Sequence, residues 1–565
     1  MPAPVLAQGV AGPYLAAEQA ARRGDIAEAS RLFAKVLARD PQNIRILEQT
    51  MLNQLGAGQI AQAVSVARRL TQLREGHHLG VLILAADGMR KGEYDTVAEL
   101  LDEKGGEGGP FVGYMMRGWA LYGAGDLDGA RAVFDNIEAR EIGGAAGQLL
   151  AAHHKGLMLA AAGEDAEAID PLVRAAELAN QGGTTRMIRQ RAAVLARLGR
   201  TEEAQELVRE RQALIISDPR LDMLGEAIAA GTPPQPMAGT GAEGAADALL
   251  TVSGYVSRGN SSPLIGLAYV RLAAHLDPSL IDAQFQIASI LTEAEQYNLA
   301  IEAFARIPED APEALEANIG RAEALNEAGE LEEGLSVLRE LVAGHPESIE
   351  AHTALGDMLR RSERFEEAAT AYEGAIDLVE TPENRHWVLY YQRGITYERS
   401  KQWPKAEADF RLALELEPDQ PLVLNYLGYS WVEMGTNLGE AQEMIEKAVA
   451  QRENDGYIVD SLGWVLYRLG KFEESLEHMA RAVELRPVDP VINDHYGDVL
   501  WVNGRRIEAR FQWKRALSFD PEPEDEERIR RKLEVGLDVV IEEEEAAGNP
   551  PIIGTADGQQ NGDGG

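Results

Sequence analysis

The side chains that could do chemistry occur in a few tight groupings. Asp460–Ser461 and Asp494–His495 supply the three residue types of a nucleophilic triad. Neither pair lies in a G-x-S-x-G turn. Both fall inside helical patterns, with no cue for the oxyanion donors that acyl transfer needs. His77–His78 and His153–His154 are adjacent pairs. Neighbours on a helix point about 100° apart, which works against a shared metal. Glu542 to Glu545 reads as a solvated helix end. Gly239 to Gly244 (GTGAEG) matches the dinucleotide fingerprint G-x-G-x-x-G in form, but a Pro-rich segment precedes it where a strand is required. The chain has no P-loop and no H-E-x-x-H. The expectation is therefore a binding protein with no catalytic residue, cofactor or metal. An enzyme or enzyme-activating subunit is the alternative of another class.

Charge and composition narrow the partners. The formal net charge is −38, from 92 acidic and 54 basic residues. Phosphate backbones need a basic footprint, so nucleic acid is not the expected ligand. The same sign disfavours an anionic membrane surface and favours basic or neutral partners. With no cysteine, disulfides, thiolate metal sites and a lipidated cysteine are excluded. Leu79 to Ala86 (LGVLILAA), a strongly apolar run, is too short to span a bilayer.

The elements that position these groups repeat. Three stretches, PLVLNYLGYSWVEMG, GYIVDSLGWVLYRLG and VINDHYGDVLWVNG, each carry a glycine: Gly428, Gly463 and Gly497. Each is followed by a small residue (Ala441, Ser475, Ala509), then a bulky one (Ile445, Met479, Trp513), then an alanine (Ala448, Ala482, Ala516). Ala441, Ser475 and Ala509 recur every 34 residues. The glycines mark close crossings of two helices, and the bulky residues fill the space between units. No such unit buries its apolar face alone, so the units must stack.

This pattern resembles the tetratricopeptide repeat. The resemblance implies an all-α, right-handed superhelical solenoid of about 14 helix–turn–helix units in two blocks. A degenerate block spans 13–223, with Ala29, Ala63, Val97, Ala130, Ala168 and Ala204 at the small position. A Pro/Gly-rich linker is expected over 224–246, a second block over 247–522, a capping helix over 523–547 and a disordered tail over 548–565. Residues 1–12 contain Val5–Leu6–Ala7 before Gln8, which reads as the remnant of an export signal.

By the same resemblance, repeat positions 2, 5, 9 and 12 of the first helices face a concave groove. Position 5 holds Tyr391, Asn425, Asp460 and Asp494. Position 9 holds Ile395, Tyr429, Trp464 and Asp498, and position 12 adds Tyr467 and Trp501. An aromatic strip beside a carboxylate/amide ladder is expected to bind protein or peptide partners, including basic segments. A clamp for a partner's terminal carboxylate is not expected, because these positions lack Lys and Arg. The stretch from about Tyr390 to Asp520 is similar to large proteobacterial repeat proteins, some of them periplasmic lipoproteins. One type delivers substrates to a carboxyl-terminal processing protease. A scaffold or adaptor in the periplasm or cell envelope is the expectation, and a cytoplasmic assembly or regulatory factor the alternative. No direct membrane insertion is expected.

Overall fold

The computed structural model describes residues 11–103, 111–179, 183–214, 218–232, 234–236, 238–258 and 263–547. The proposed signal remnant, up to residue 10, and the tail 548–565 lie outside the described residues. Among the described residues the regular elements are 31 α-helices and a 3-10 turn at Asn384–His386. None of these helices is long and apolar enough to cross a membrane.

Local chemistry sets the helix boundaries. Gly24 and Gly125 adopt φ +77° and +88°, ending one helix in the left-handed conformation that a side chain resists. The next residue caps the following helix. Asp25 accepts from the Glu28 amide at 3.0 Å, and Asp126 from the Gly129 amide at 2.9 Å. The second helices then bury their small residues. Ala29, Ala63, Ala130, Ala168, Ala204, Ala406, Ala441, Ser475 and Ala509 have no exposed surface. The close crossings are where the spacing places them. A Cβ on Gly428 would lie 2.9 Å from Ile445, one on Gly463 2.9 Å from Met479, and one on Gly497 2.4 Å from Trp513.

The chain forms two compact units, 1–358 and 359–565. The division does not fall at 224–246, and the reason is local. Residues 224–229 end the helix Pro219–Ala229, and 241–246 begin the helix Gly241–Arg258. Thr240 and Glu243 form a reciprocal cap: Thr240 Oγ1 accepts from the Glu243 amide at 3.2 Å, and Glu243 Oε2 from the Thr240 amide at 3.1 Å. The glycines serve close approach. A Cβ on Gly244 would lie 2.1 Å from the Trp119 ring, and one on Gly241 2.5 Å from the Trp119 carbonyl oxygen.

The two helices that begin at Gly241 and Pro263 do not simply extend the stack. The helices Gly241–Arg258 and Pro263–Leu276 pair with each other and fold back on the first helices of earlier repeats. Gly241–Arg258 packs on His78–Arg90, Phe111–Gly123 and Gly144–Ala161. Pro263–Leu276 packs on Ile44–Gly56 and His78–Arg90. Polar contacts fasten this hairpin. Arg186 reaches Asp247 at 2.6 Å and also pairs with Asp282, while Arg90 Nη1 donates to the His275 carbonyl at 2.6 Å. Beneath the hairpin, Trp119 Nε1 donates to His154 Nδ1 at 3.2 Å, which ties Phe111–Gly123 to Gly144–Ala161. The first unit thus covers the inner face of its repeats with its own chain.

The second unit stacks regularly, and its last layer differs from the expected single cap. Pro523–Val535 and Leu537–Ala546 are two helices, broken at Gly536 with φ +92°. Trp501 fills the break: a Cβ on Gly536 would lie 2.6 Å from its ring. The terminal pair is a further, shorter repeat.

Candidate partner-binding face

The inner face of the second unit is made by the first helices Trp387–Arg399, Pro421–Glu433, Gly456–Arg468 and Pro490–Val502, continued by Pro523–Val535. The residues expected to form the ladder lie on these helices, and the face divides into an open part and a closed part.

The closed part lies at the carboxyl-terminal end. Arg528 and Lys532 stand 34 residues beyond Asp494 and Asp498, so they occupy positions 5 and 9 of the added layer. Lys532 Nζ lies 2.7 Å from Asp494 Oδ1 and 2.7 Å from Asp498 Oδ1. Arg528 Nη1 is 3.3 Å from Asp498 Oδ2, and Arg528 also pairs with Glu544 at 2.7 Å. Trp513 Nε1 donates to Asp498 at 2.9 Å. Burial works against charge at Asp498, but Lys532 and Arg528 outweigh it and hold its carboxyl below the usual range. Asp494 and Asp498 are therefore internal ion-pair partners and not free groove ligands.

Two of the expected aromatic contacts are also interior. Tyr467 has no exposed surface, and Trp501 packs on Trp513 at 5.3 Å between ring centres. Both belong to the core. Trp464 is 5% exposed. Its ring stacks on His495 at 3.9 Å and on Tyr467 at 4.9 Å, and its Nε1 donates to Glu433 at 2.6 Å. Three such contacts lock Trp464 in place by packing, beside a pocket of about 220 Å³ that it lines with Arg468, Asp494, His495 and Arg528.

His495 Nδ1 lies 3.1 Å from Asp460 Oδ2. Burial disfavours the imidazolium, but Asp460 outweighs it and the histidine pKa is raised. So Asp460 and His495 do meet across two repeats. Ser461 Oγ donates instead to the Tyr457 carbonyl at 3.0 Å, so the three residues form no relay. Among the described residues no group of three or more His, Asp or Glu side chains is arranged to hold a metal.

The open part is one layer earlier. A cavity of about 480 Å³ is lined by Asn425, Tyr426, Tyr429, Glu433 and Asp460, with Glu398, Trp403, Tyr457 and Asp489 at its edges. Asn425 Oδ1 is screened from solvent and has no hydrogen-bond partner. Glu398 accepts from the Tyr426 hydroxyl at 3.1 Å. Burial pushes the Tyr429 phenol well up, with Glu433 and Asp460 adding to the shift. Tyr391 packs on Tyr426 at 6.0 Å and on Phe410 at 6.2 Å, and burial raises its pKa to about 12. The cavity therefore has a fixed aromatic floor, a carboxylate rim and one unsatisfied amide oxygen.

Sequence reasoning missed four groups here. Glu398 holds position 12 of its helix, as Tyr467 and Trp501 do of theirs. Extending the 34-residue step from Asp460 through Asp494 reaches Arg528. The same step from Trp464 through Asp498 reaches Lys532. Tyr426 has no such signal, because it neighbours a ladder position without being one.

Tetratricopeptide repeat profiles match residues 112–136, 189–210, 285–349, 327–385, 387–420 and 460–489. The TPR repeat-containing protein PA4667 of Pseudomonas aeruginosa is 34% identical over 110 residues. That match spans 20% of this chain and 18% of that protein. The structure is similar to that of the APC/C hetero-tetramer Cut9–Hcn1, with 15% identity and TM-score 0.39, covering 94% of this chain and 97% of that one. It is also similar to YrrB, described as a TPR protein with an unusual peptide-binding site, with 20% identity, TM-score 0.27 and coverage of 33% and 94%.

Proposed function

Taking this chain as a tetratricopeptide-repeat protein of proteobacterial type, we propose that it is a scaffold whose second unit binds a partner protein on its inner face. The partner segment lies in the cavity lined by Asn425, Tyr426, Tyr429, Glu433 and Asp460. The observation that carries the reading is that cavity: about 480 Å³, aromatic-floored, with an unpartnered Asn425 Oδ1. Rigid aromatics beside hydrogen-bonding groups are the usual anchors of peptide recognition. The carboxylate rim favours a basic segment and speeds its encounter. The likeness of Tyr390 to Asp520 to envelope repeat proteins supports an adaptor role in the cell envelope, including delivery of substrates to a protease.

The test is a pull-down from envelope and cytosol fractions with the full chain and its Tyr429→Ala variant. Partners recovered by the parent chain and lost by the variant support the reading, and the fraction that yields them reports the compartment. An aromatic anchor contributes about 2 kcal/mol or more, so affinity should fall roughly thirtyfold. Full retention of every partner by a folded Tyr429→Ala variant would refute the inner face as the binding site.

A further inference from the structure

The molecule itself shows what its inner faces accept. In the first unit the occupant is helical: Gly241 and Gly244 let one helix lie flush on Trp119, and Asp247 meets the opposite charge of Arg186. In the second unit the closed end of the ladder is also satisfied from a helix. Arg528 and Lys532, four residues apart, reach Asp494 and Asp498, themselves four apart on Pro490–Val502. Residues four apart lie on one helix face, so two helices side by side bring such pairs into register.

Carboxylates outnumber cations along the open stretch: Glu398, Glu433, Asp460 and Asp489 line it with Arg399, and Arg468 interacts with Glu433. Glu398 and Glu433 each accept from a neutral donor, the Tyr426 hydroxyl and the Trp464 indole, and those donors leave their charge in place. Asp489 spends one oxygen on the Ile492 amide at 3.0 Å, again a neutral group. Asp460 is the exception, facing His495. Arg399 also lines the cavity, but Glu363 lies 3.8 Å from its guanidinium, which stacks on Phe365. A cation seated on the floor would meet Tyr426, Tyr429 and Trp403 as well as the carboxylates.

We infer that the partner segment is an amphipathic helix that sets one Arg or Lys into this cavity, against Glu398 and Glu433 and over the Tyr426–Tyr429 floor. This rests on the inner-face reading above and adds the conformation and charge of the ligand. An extended segment offers its side chains alternately to two faces. A helix laid across the first helices offers one face with a charged residue at its centre and small residues beside it, as Gly241–Arg258 does in the first unit with Asp247 and its glycines; on the acidic face of the second unit the matching charge is a cation.

The experiment selects binders to the full-length protein from two displayed libraries of equal size. One presents 18-residue helices randomised on one face, and the other presents linear peptides with fixed prolines. The inference expects helical binders sharing a basic residue at one position. Their affinity should fall at least tenfold with Glu433→Gln, at least tenfold with Tyr429→Ala, and at least tenfold when that basic residue becomes Gln. Thermal melting of each variant, matched to the parent chain, keeps the comparison at equal folding. Binders drawn only from the linear library and lost with Tyr429→Ala would overturn the helical inference while leaving the inner-face reading intact. Helical binders that keep their affinity when the basic residue becomes Gln would overturn the charge assignment. Binders indifferent to Tyr429→Ala, or no enrichment from either library, would overturn both.

Discussion

The two units build the same kind of face from their first helices and finish it in opposite ways. The first covers it with the helices Gly241–Arg258 and Pro263–Leu276, fastened by Arg186–Asp247 and Arg90–His275. The second leaves a cavity of about 480 Å³ and closes only its last layer with Arg528 and Lys532. A repeat face is thus not a binding site by construction. It becomes one where the chain has not already supplied the occupant.

The comparison breaks most visibly at Lys532, which has no exposed surface. Lys532→Ala removes the fully buried cation shared by Asp494 and Asp498 and leaves them only Arg528, and losses of this kind cost about 3–5 kcal/mol. Chemical denaturation should show the second unit weakened by that amount, with recovery when Asp494→Asn and Asp498→Asn are added. A neutral outcome would mean that the last layer is not bound by these charges. Trp464→Ala comes next. Its stacked, buried ring should cost about 3 kcal/mol or more of stability, so a loss of partner affinity counts only when measured per folded molecule. In the first unit, Gly244→Ala forces a methyl into the Trp119 ring, and overpacking of this kind costs about 1–3 kcal/mol. Hydrogen exchange should then accelerate in Gly241–Arg258 and in Phe111–Gly123 together. Acceleration in Gly241–Arg258 alone would show that the hairpin is only loosely seated.

The smallest effect is the sharpest in sign. His153 and His154 are buried, and burial lowers their pKa values from 6.5 to about 4 and about 3. Folding favours their neutral forms, so their contribution is complete above pH 6.5 and is lost as pH falls below it. His495 runs the other way. Burial disfavours its charge, Asp460 outweighs burial, and the pKa is raised above 6.5. Its contribution is complete below pH 6.5 and is lost as pH rises through the raised value. Each histidine gives a slope of up to about 1.4 kcal/mol per pH unit. Exchange protection, corrected for intrinsic rate, should therefore fall in Gly144–Ala161 on acidification and in Pro490–Val502 on alkalinisation. Parallel responses would contradict the assigned environments.

The repeat itself was legible because its signals are local. Ala441, Ser475 and Ala509 are small at a fixed step, and Gly428, Gly463 and Gly497 meet their partners within one repeat. The site was half legible. Asn425, Tyr429 and Asp460 line the cavity, whereas Tyr467 and Trp501 are interior because packing between layers claims large aromatics first. Asp494 and Asp498 are not free ligands because the charged last layer does more than cap the stack: its cations continue the ladder. The fold-back of Gly241–Arg258 was not legible. Glycines in a Pro-rich neighbourhood look the same whether they loosen a connection or admit an indole. That distinction depends on Trp119, far away in the chain.

The hairpin also changes how the first unit reaches its native state. A plain stack assembles from neighbour to neighbour, so any run of repeats can order as it leaves the ribosome. Here Leu264 comes to rest against Gly56, and Gly244 against Trp119. Contacts so distant along the chain require a large loop to close first, which slows folding and links distant repeats into one cooperative event. Until residue 276 has been made, the apolar faces of Ile44–Gly56, His78–Arg90 and Phe111–Gly123 lack their cover, and the nascent chain is exposed to aggregation for that interval.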